Sequence, residues 1–361
     1  MAEPARPHLC LLGDASSVHL RRWAQAMAAR EFRVSVVTAR PQPLDGIEQV
    51  SLPPVRRSSD WLRRAGAARR AVAALAPDLV HAHYISSYGY LAARIGRRPL
   101  LMTAWGSDLL VTPRRSRLMR ALTGWTLRQA DLLTGDSLDL VAAIDAYHPR
   151  RPALQVHWGA DLARFAPVPW ADRGAAGAPF EIVSLRSWEP NYRIPVILDA
   201  VAQLQREAPA RPLCLHLLGG GPDEARLRAQ AAALGLQAVV RFHGRLDDAG
   251  MAAVLARCKA SVSVPASDAT SVSVLESMAA GVPVIASDLP ANRQWLDAAL
   301  IVPVDDAAAL AAALRRLRDD DAWAQQVCAA QRLRMQRDGD RAVQMDRMAA
   351  LYRELLAAGC R

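Results

Sequence analysis

Residues 267–288, SDATSVSVLESMAAGVPVIASD, set two carboxylates, Asp268 and Glu276, around a run of Ser, Thr and Val. An Ala/Gly stretch and the apolar VPVIAS follow. A helix opening at Ser271 would leave its first amides without intrahelical acceptors. The amides around Thr270, Ser271, Val272 and Ser273 could then receive phosphate oxygens. Glu276, three residues after Ser273, would lie in the first two turns, where a carboxylate can face a ligand's hydroxyls. Asp268, in the loop before the helix, could approach from the other side, and carboxylates accept hydrogen bonds from vicinal diols. A diphosphate at the amides and a sugar or ribose at the carboxylates describe a nucleotide sugar. The same residues fit equally well a helix capped by Thr270 or Asp268, with Glu276 in solvent.

Other residues point the same way with less specificity. Arg186 and Arg193, in SLRSWEPNYRI, follow an apolar strand pattern, and two guanidinium groups there suit a pyrophosphate. An ion pair with Glu189 is the plainer reading. Gly219, Gly220 and Gly221, in LLGGGPDEARLRAQA, let the chain turn sharply and approach a ligand ahead of a helix N-terminus, although they do not spell G-x-G-x-x-G. An ordinary strand-to-helix turn explains them as well. Gly13, Ser16 and Ser17, in LLGDASSVHLRRW, form a second candidate anion site. His19, His83 and Asp108 fall at or near strand carboxyl ends or helix starts, where a packed or surface role is as natural as a chemical one. HAH (81–83) is read as sending its two imidazoles to opposite faces of a strand, so no metal-ligand spacing is found. No nucleophile-elbow or Walker sequence is present.

The elements that must position these residues alternate. Strands are expected at 8–13, 32–40, 78–84, 99–106, 131–137 and 154–161, with helices at 17–30, 63–76, over YGYLAARIG and at 114–130. The stretch APVPWADRGAAGAP (166–179) is rich in Pro, Ala and Gly, has no period and reads as a linker. Strands then resume at 180–185, 213–221, 239–244, 260–266 and 299–304. Helices are expected at 194–207, 223–234, 248–258, 271–280, 306–317 and 322–357. The alternation argues for parallel sheets covered on both faces. The fold class is α/β: two tandem Rossmann-like, doubly wound halves facing across a cleft, with ligands outside the strand carboxyl ends.

The chain has 361 residues, enough for two domains, and 52% hydrophobic residues. Five cysteines without a C-x-x-C pair suggest neither a zinc site nor a disulfide framework. With no spanning run and no signal-peptide h-region, the chain reads as soluble or peripheral, in a reducing cytoplasm. Net charge is +10, and residues 1–175 carry all of it, with 24 Arg against 14 acidic residues. An Arg-rich coding bias explains the single lysine, Lys259, but not that imbalance. The first half therefore suits something anionic. RRSSDWLRRAGAARRAV (56–72) could lie on anionic headgroups with Trp61 as interfacial anchor, or be a solvated Arg-rich helix. A nucleic-acid partner is disfavoured by the absence of an aromatic-basic platform.

These residues resemble the retaining glycosyltransferases of family 4, with the GT-B fold, over nearly the whole chain. Asp268, Glu276 and SMAAGVPVIASD are similar to the family's E-x7-E signature and its trailing EAMACGxPVVASD. LLGGGP resembles the family's GDGP turn, and PDLVHAHY with TAWGSD resembles paired N-domain motifs of polysaccharide-assembly members. The resemblance implies an N-terminal acceptor domain (1–170), a nucleotide-sugar donor domain (178–335) and a C-terminal helix (336–361) packing back toward the first domain. It implies that Glu276 holds the ribose and that Asp268 stands where a Glu contacts the donor sugar. Arg186, the amides at Ser271–Ser273 and the Gly13–Ser17 loop across the cleft would hold the diphosphate.

Three departures stand out: Asp268 is one methylene shorter than Glu, Trp105 stands where many members have His, and Tyr192 aligns better than Arg193 with the family's second basic position. Trp105 is read as a stacking surface, on the acceptor side with His19, His83 and Asp108. The implied activity is retaining, metal-independent hexosyl transfer, without cofactor, from a nucleotide diphosphate sugar to a growing, lipid-linked glycan in polysaccharide or glycoconjugate synthesis. The cytoplasmic enzyme would sit peripherally at the inner membrane face. A non-hydrolysing sugar-nucleotide epimerase and a non-catalytic sugar-nucleotide-binding partner subunit remain as alternatives.

Overall fold

The computed structural model describes residues 6–57, 59–173 and 177–359. Ser58, residues 174–176 of the expected linker and Cys360 lie outside them. The chain forms two compact units: residues 1–158 with 342–361, and residues 159–341.

Among the described residues, the first unit's sheet comprises β1 (His8–Leu12), β2 (Arg33–Thr38), β3 (Glu48–Ser51), β4 (Leu79–His83), β5 (Leu100–Ala104), β6 (Leu132–Gly135) and β7 (Leu154–Gln155). They run parallel in the order β3-β2-β1-β4-β5-β6-β7. Every residue of β1, β4 and β5 is buried, which is why these strands read as apolar runs rather than alternating ones. Leu9, Leu11 and Leu12 are fully covered, each stabilising by roughly 1.5–3 kcal/mol. The order reverses between β1 and β4, so the crevice of this sheet opens beyond those two strands.

The second sheet comprises β8 (Phe180–Ser184), β9 (Leu213–Leu218), β10 (Val240–Gly244), β11 (Ala260–Ser263), β12 (Val284–Ser287) and β13 (Ile301–Val302). The order is β10-β9-β8-β11-β12-β13, again parallel. Its switch point lies between β8 and β11. Ile182, Leu215, Val262, Leu275 and Ile285 lie in its core.

Three local expectations change. β3 was not anticipated, because EQVS is a polar, half-exposed edge strand without an apolar period. The helix expected over 322–357 is broken: Asp321–Arg334 is followed by a wider turn at Met335–Gly339, extended backbone at Asp340 and a second helix, Arg341–Gly359. The stretch 166–179 lies inside the second unit, where Trp170 is buried and donates to Asp321 at 3.0 Å. Arg173, 1% exposed, donates to the carbonyls of Leu255 and Cys258 at 2.8 Å. Pro and Ala content marked irregular backbone there, and irregular backbone can still be packed.

The last helix belongs to the first unit. Met345, Met348, Tyr352 and Leu355 are buried. The Tyr352 hydroxyl accepts from Trp23 Nε1 at 2.9 Å and meets His81 Nδ1 at 2.6 Å.

Candidate active site

In the second unit the site grows from the ends of β8 and β11. The chain leaves β8 at Ser184 and reaches Arg186 two residues later, 9% exposed. Its guanidinium donates to Asp268 Oδ2 at 2.6 Å, to Ser273 Oγ at 3.1 Å and to Ser271 Oγ. The Tyr192 ring lies beneath it, 4.3 Å from the guanidinium carbon. The loop after β11 is fastened by Asn191, whose side chain donates to the Ser267 carbonyl at 2.9 Å and whose own carbonyl accepts from the Ala266 amide.

The helix begins where the residues required it: Val272–Ala279, with Ser271 as N-cap. The Ser271 hydroxyl does not cap its own helix. It takes Arg186 and Ser273 instead, leaving the first turn's amides without a side-chain acceptor from the cap. Ser277 ties the helix down, its hydroxyl 2.8 Å from Ser261 Oγ on β11. Glu276 is buried, 4% exposed, with Arg341 Nη2 3.8 Å from Oε1. A carboxylate that far from water needs a positive partner or ligand hydroxyls, so the solvated-surface reading of Glu276 is set aside. Thr270 and Val272 are also buried.

The glycine turn has a packing origin. A Cβ on Gly219 would run into the Arg186 carbonyl oxygen, and one on Gly221 into that of Trp188. The Trp188 amide also donates to the Gly220 carbonyl at 3.0 Å. These glycines therefore let the turn lie directly on the segment that carries Arg186. Arg193 does not join the cluster; it pairs with Asp305 at 2.7 Å and donates to the Pro190 carbonyl. Tyr192 occupies the place beside Arg186.

In the first unit, Gly13 follows β1, and a Cβ there would strike Leu20. Ser17 caps the helix Val18–Ala28 by accepting from the His19 amide, and Ser16 is held by Asp14. Residues 81 and 83 are two apart in β4 and share a face. The opposite-face expectation is thus corrected: the two rings lie 4.0 Å apart. Trp105 Nε1 donates to His83 Nδ1 at 3.3 Å. His83 Nε2 is buried without a hydrogen-bond partner among the described residues, and burial depresses the imidazole to about 3.

Asp108 is fully buried and accepts the amides of Ile85 (2.6 Å), Trp105 (3.0 Å) and Gly106 (2.9 Å). Burial lifts its carboxyl to about 6 against the pull of those amides. It shapes the Trp105 turn from beneath. Residues missed in the sequence complete this cluster: Trp158 packs 5.1 Å from His19 and 5.1 Å from Trp105, and Trp23 lies 5.0 Å from both Trp158 and His83. The signal available was an aromatic residue just beyond β7 and another on the inner face of the first helix.

Residues 8–137 match the family model described as glycosyl transferase 4-like, and residues 180–320 match that described as glycosyl transferases group 1. A phosphatidyl-myo-inositol mannosyltransferase of Mycolicibacterium smegmatis is 35% identical over 174 residues, 47% of this chain and 44% of the relative. A glycogen synthase of Mycobacterium tuberculosis is 28% identical over 276 residues, 73% of this chain and 66% of the relative. The chain thus matches less than two thirds of the length of either. Among solved structures, sucrose-phosphate synthase from Thermosynechococcus elongatus aligns over 98% of this chain and all of its own, with a TM-score of 0.83 at 20% identity. HepE of Anabaena in complex with UDP aligns over 97% of this chain and all of its own, with a TM-score of 0.80 at 16% identity. The two family models, matching residues 8–137 and 180–320 in succession, and the shared fold place this chain among the family 4-type glycosyltransferases of GT-B fold.

Proposed function

We propose that this chain is a retaining, metal-independent hexosyltransferase that moves a sugar from a nucleoside diphosphate sugar to a lipid-linked glycan acceptor. The observation that carries this reading is the cluster around Arg186. A buried guanidinium, two serine hydroxyls and a helix N-terminus converge beside Asp268, with buried Glu276 in the same helix. In this reading Arg186 and the amides of Val272 and Ser273 take the diphosphate, Glu276 takes the ribose hydroxyls and Asp268 the donor sugar. The protein orients the donor and stabilises charge on the departing diphosphate, and needs neither a divalent ion there nor a cofactor. HepE's complexes with UDP and with UDP-glucose support a nucleotide-sugar ligand, and the mannosyltransferase relative supports a hexose-type donor.

The His19–Trp105–Trp158 rings of the first unit are proposed to stack an acceptor sugar. A lipid-linked acceptor is supported by the phosphatidyl-myo-inositol relative and by the exposed face of the helix Asp60–Leu75. This face is proposed to meet lipid at the cytoplasmic surface; no helix among the described residues is long and apolar enough to cross a membrane.

Release of nucleoside diphosphate from UDP-, GDP- and TDP-sugars, with and without a lipid-linked acceptor, tests the proposal. Acceptor-dependent release with retained anomeric configuration, undiminished by magnesium or manganese removal, is expected. Interconversion of the free sugar nucleotide would identify an epimerase instead, and binding without turnover a non-catalytic subunit. Glu276→Ala is expected to lower transfer by about 10–100-fold, the worth of charge-assisted hydrogen bonds of about 1.5–3 kcal/mol, with an unchanged circular-dichroism spectrum. Full activity in that variant overturns the ribose role.

A further inference from the structure

The end of the second sheet away from Arg186 carries a polar cluster that donor chemistry does not use. Glu181 opens β8, His216 lies within β9, and Cys258 ends the turn that leads into β11. Carboxylate oxygen, imidazole nitrogen and sulfur lie within 4.8 Å of one another. No two of these ligands are close enough in sequence to form a recognisable motif. The parallel pairing of β8 with β9 and β11 assembles them.

We propose that Glu181, His216 and Cys258 form a binding site for one divalent cation of the zinc type. The donor set is one thiol, one imidazole and one carboxylate, each a zinc ligand. Tetrahedral zinc, with bonds of about 2.3 Å to sulfur and about 2.0–2.1 Å to nitrogen or oxygen, holds its donors roughly 3.3–3.6 Å apart. His216 Nε2 is already 3.1 Å from Glu181 Oε2, and Cys258 Sγ lies within 4.8 Å of both. Support from a second layer is in place. His216 Nδ1 lies 2.9 Å from His243 Nε2, so Nδ1–H can donate outward while Nε2 faces the metal, the arrangement that orients metal-bound histidines.

Cys258 is fully buried and His216 is 3% exposed, so a bound ion would be shielded. Arg257, 3.4 Å from Glu181 Oε2 and half-exposed, now balances the carboxylate. On metal binding the Cys258 thiol gives its proton to solvent, His216 passes from the Nε2–H form that donates to Glu181 to the Nδ1–H form that donates to His243 Nε2, the thiolate, Glu181 and His216 Nε2 bind zinc, and Arg257 swings outward. Water takes the fourth position.

Residues 181 and 186 are separated by about 16 Å of extended chain, so the ion would brace β8, β9 and β11 without touching the diphosphate. Zinc content is measured on tag-free protein equilibrated with zinc and then desalted, and Co2+ is titrated into the metal-free form. One zinc per chain and a thiolate-to-cobalt charge-transfer band are expected in the wild type. Cys258→Ser should remove the band, and Glu181→Gln, His216→Asn and His243→Ala should each weaken binding about 10-fold or more. Substoichiometric zinc, or cobalt bound without a thiolate band, overturns the site on the wild-type protein alone. These readouts do not involve transfer, so they stand or fall separately from the proposed activity.

Discussion

At the scale of single residues, Arg186 decides most. It is 9% exposed, shared among a carboxylate and two hydroxyls, and stacked on Tyr192. A lysine cannot reproduce a planar fork. Arg186→Lys is expected to raise the KM for the sugar nucleotide roughly 10–100-fold while leaving kcat within about 10-fold. An unchanged KM in initial-rate assays would remove Arg186 from the diphosphate site. The pairing of Asp268 and Glu276 with the intervening serines was visible in the sequence because amide geometry and carboxylate spacing are local properties of one helix start. The contact of Arg186 with that loop was not, since it depends on β8 and β11 being neighbours. Trp158 and Tyr352 escaped for the same reason: nothing near them in the chain shows which rings they meet.

Elements show the same division. Buried strands such as β1, β4 and β5 were legible because an apolar run bounded by turns can hardly be anything else, whereas β3 is polar and held only by its neighbour. The break at Asp340 follows Asp338-Gly339, a turn signal that the helical reading of 322–357 passed over, and the pairing of Ala160 with Asp340 fixes the extended backbone there. Within β4, His83 has a measurable consequence. Its imidazole is depressed to about 3 by burial, against about 6.5 when unfolded. Because the folded value is the lower one, the neutral ring's contribution is complete above pH 6.5 and is lost as pH falls toward 3. A loss of a few kcal/mol from this group is expected across that window. Chemical denaturation of wild type and His83→Gln should give stabilities whose difference is constant above pH 6.5 and shifts against the wild type as pH falls from 6.5 toward 3. A gap that stayed constant through that window would show that His83 is not held neutral.

Over the whole molecule, the charge imbalance between halves remains the clearest long-range signal, and the structure says which arginines could express it. Trp61 turns its ring to Tyr88, 4.8 Å away, while Leu62 is 56% exposed. Arg64 is occupied by the carbonyls of Pro53 and Pro54, and Arg69 donates to the Arg94 carbonyl. Arg63 and Arg70 remain exposed. Replacing both with Gln is expected to weaken binding to vesicles rich in anionic phospholipid by about 30-fold at low salt, at about 1 kcal/mol per charge. Equal sedimentation of the two proteins with such vesicles would remove the lipid-facing role. That prediction could not be sharpened from the sequence, where all of these arginines look alike.

The ion pair between Arg186 and Asp268 also bears on turnover. Asp268 is the counter-ion of Arg186 in the structure, so in the proposed reading an arriving diphosphate exchanges with it and a departing one is displaced by it. Asp268→Asn should therefore hold the spent nucleoside diphosphate several-fold more tightly in calorimetric titration and show stronger product inhibition. Weaker product binding in that variant would mean that the aspartate serves only the sugar.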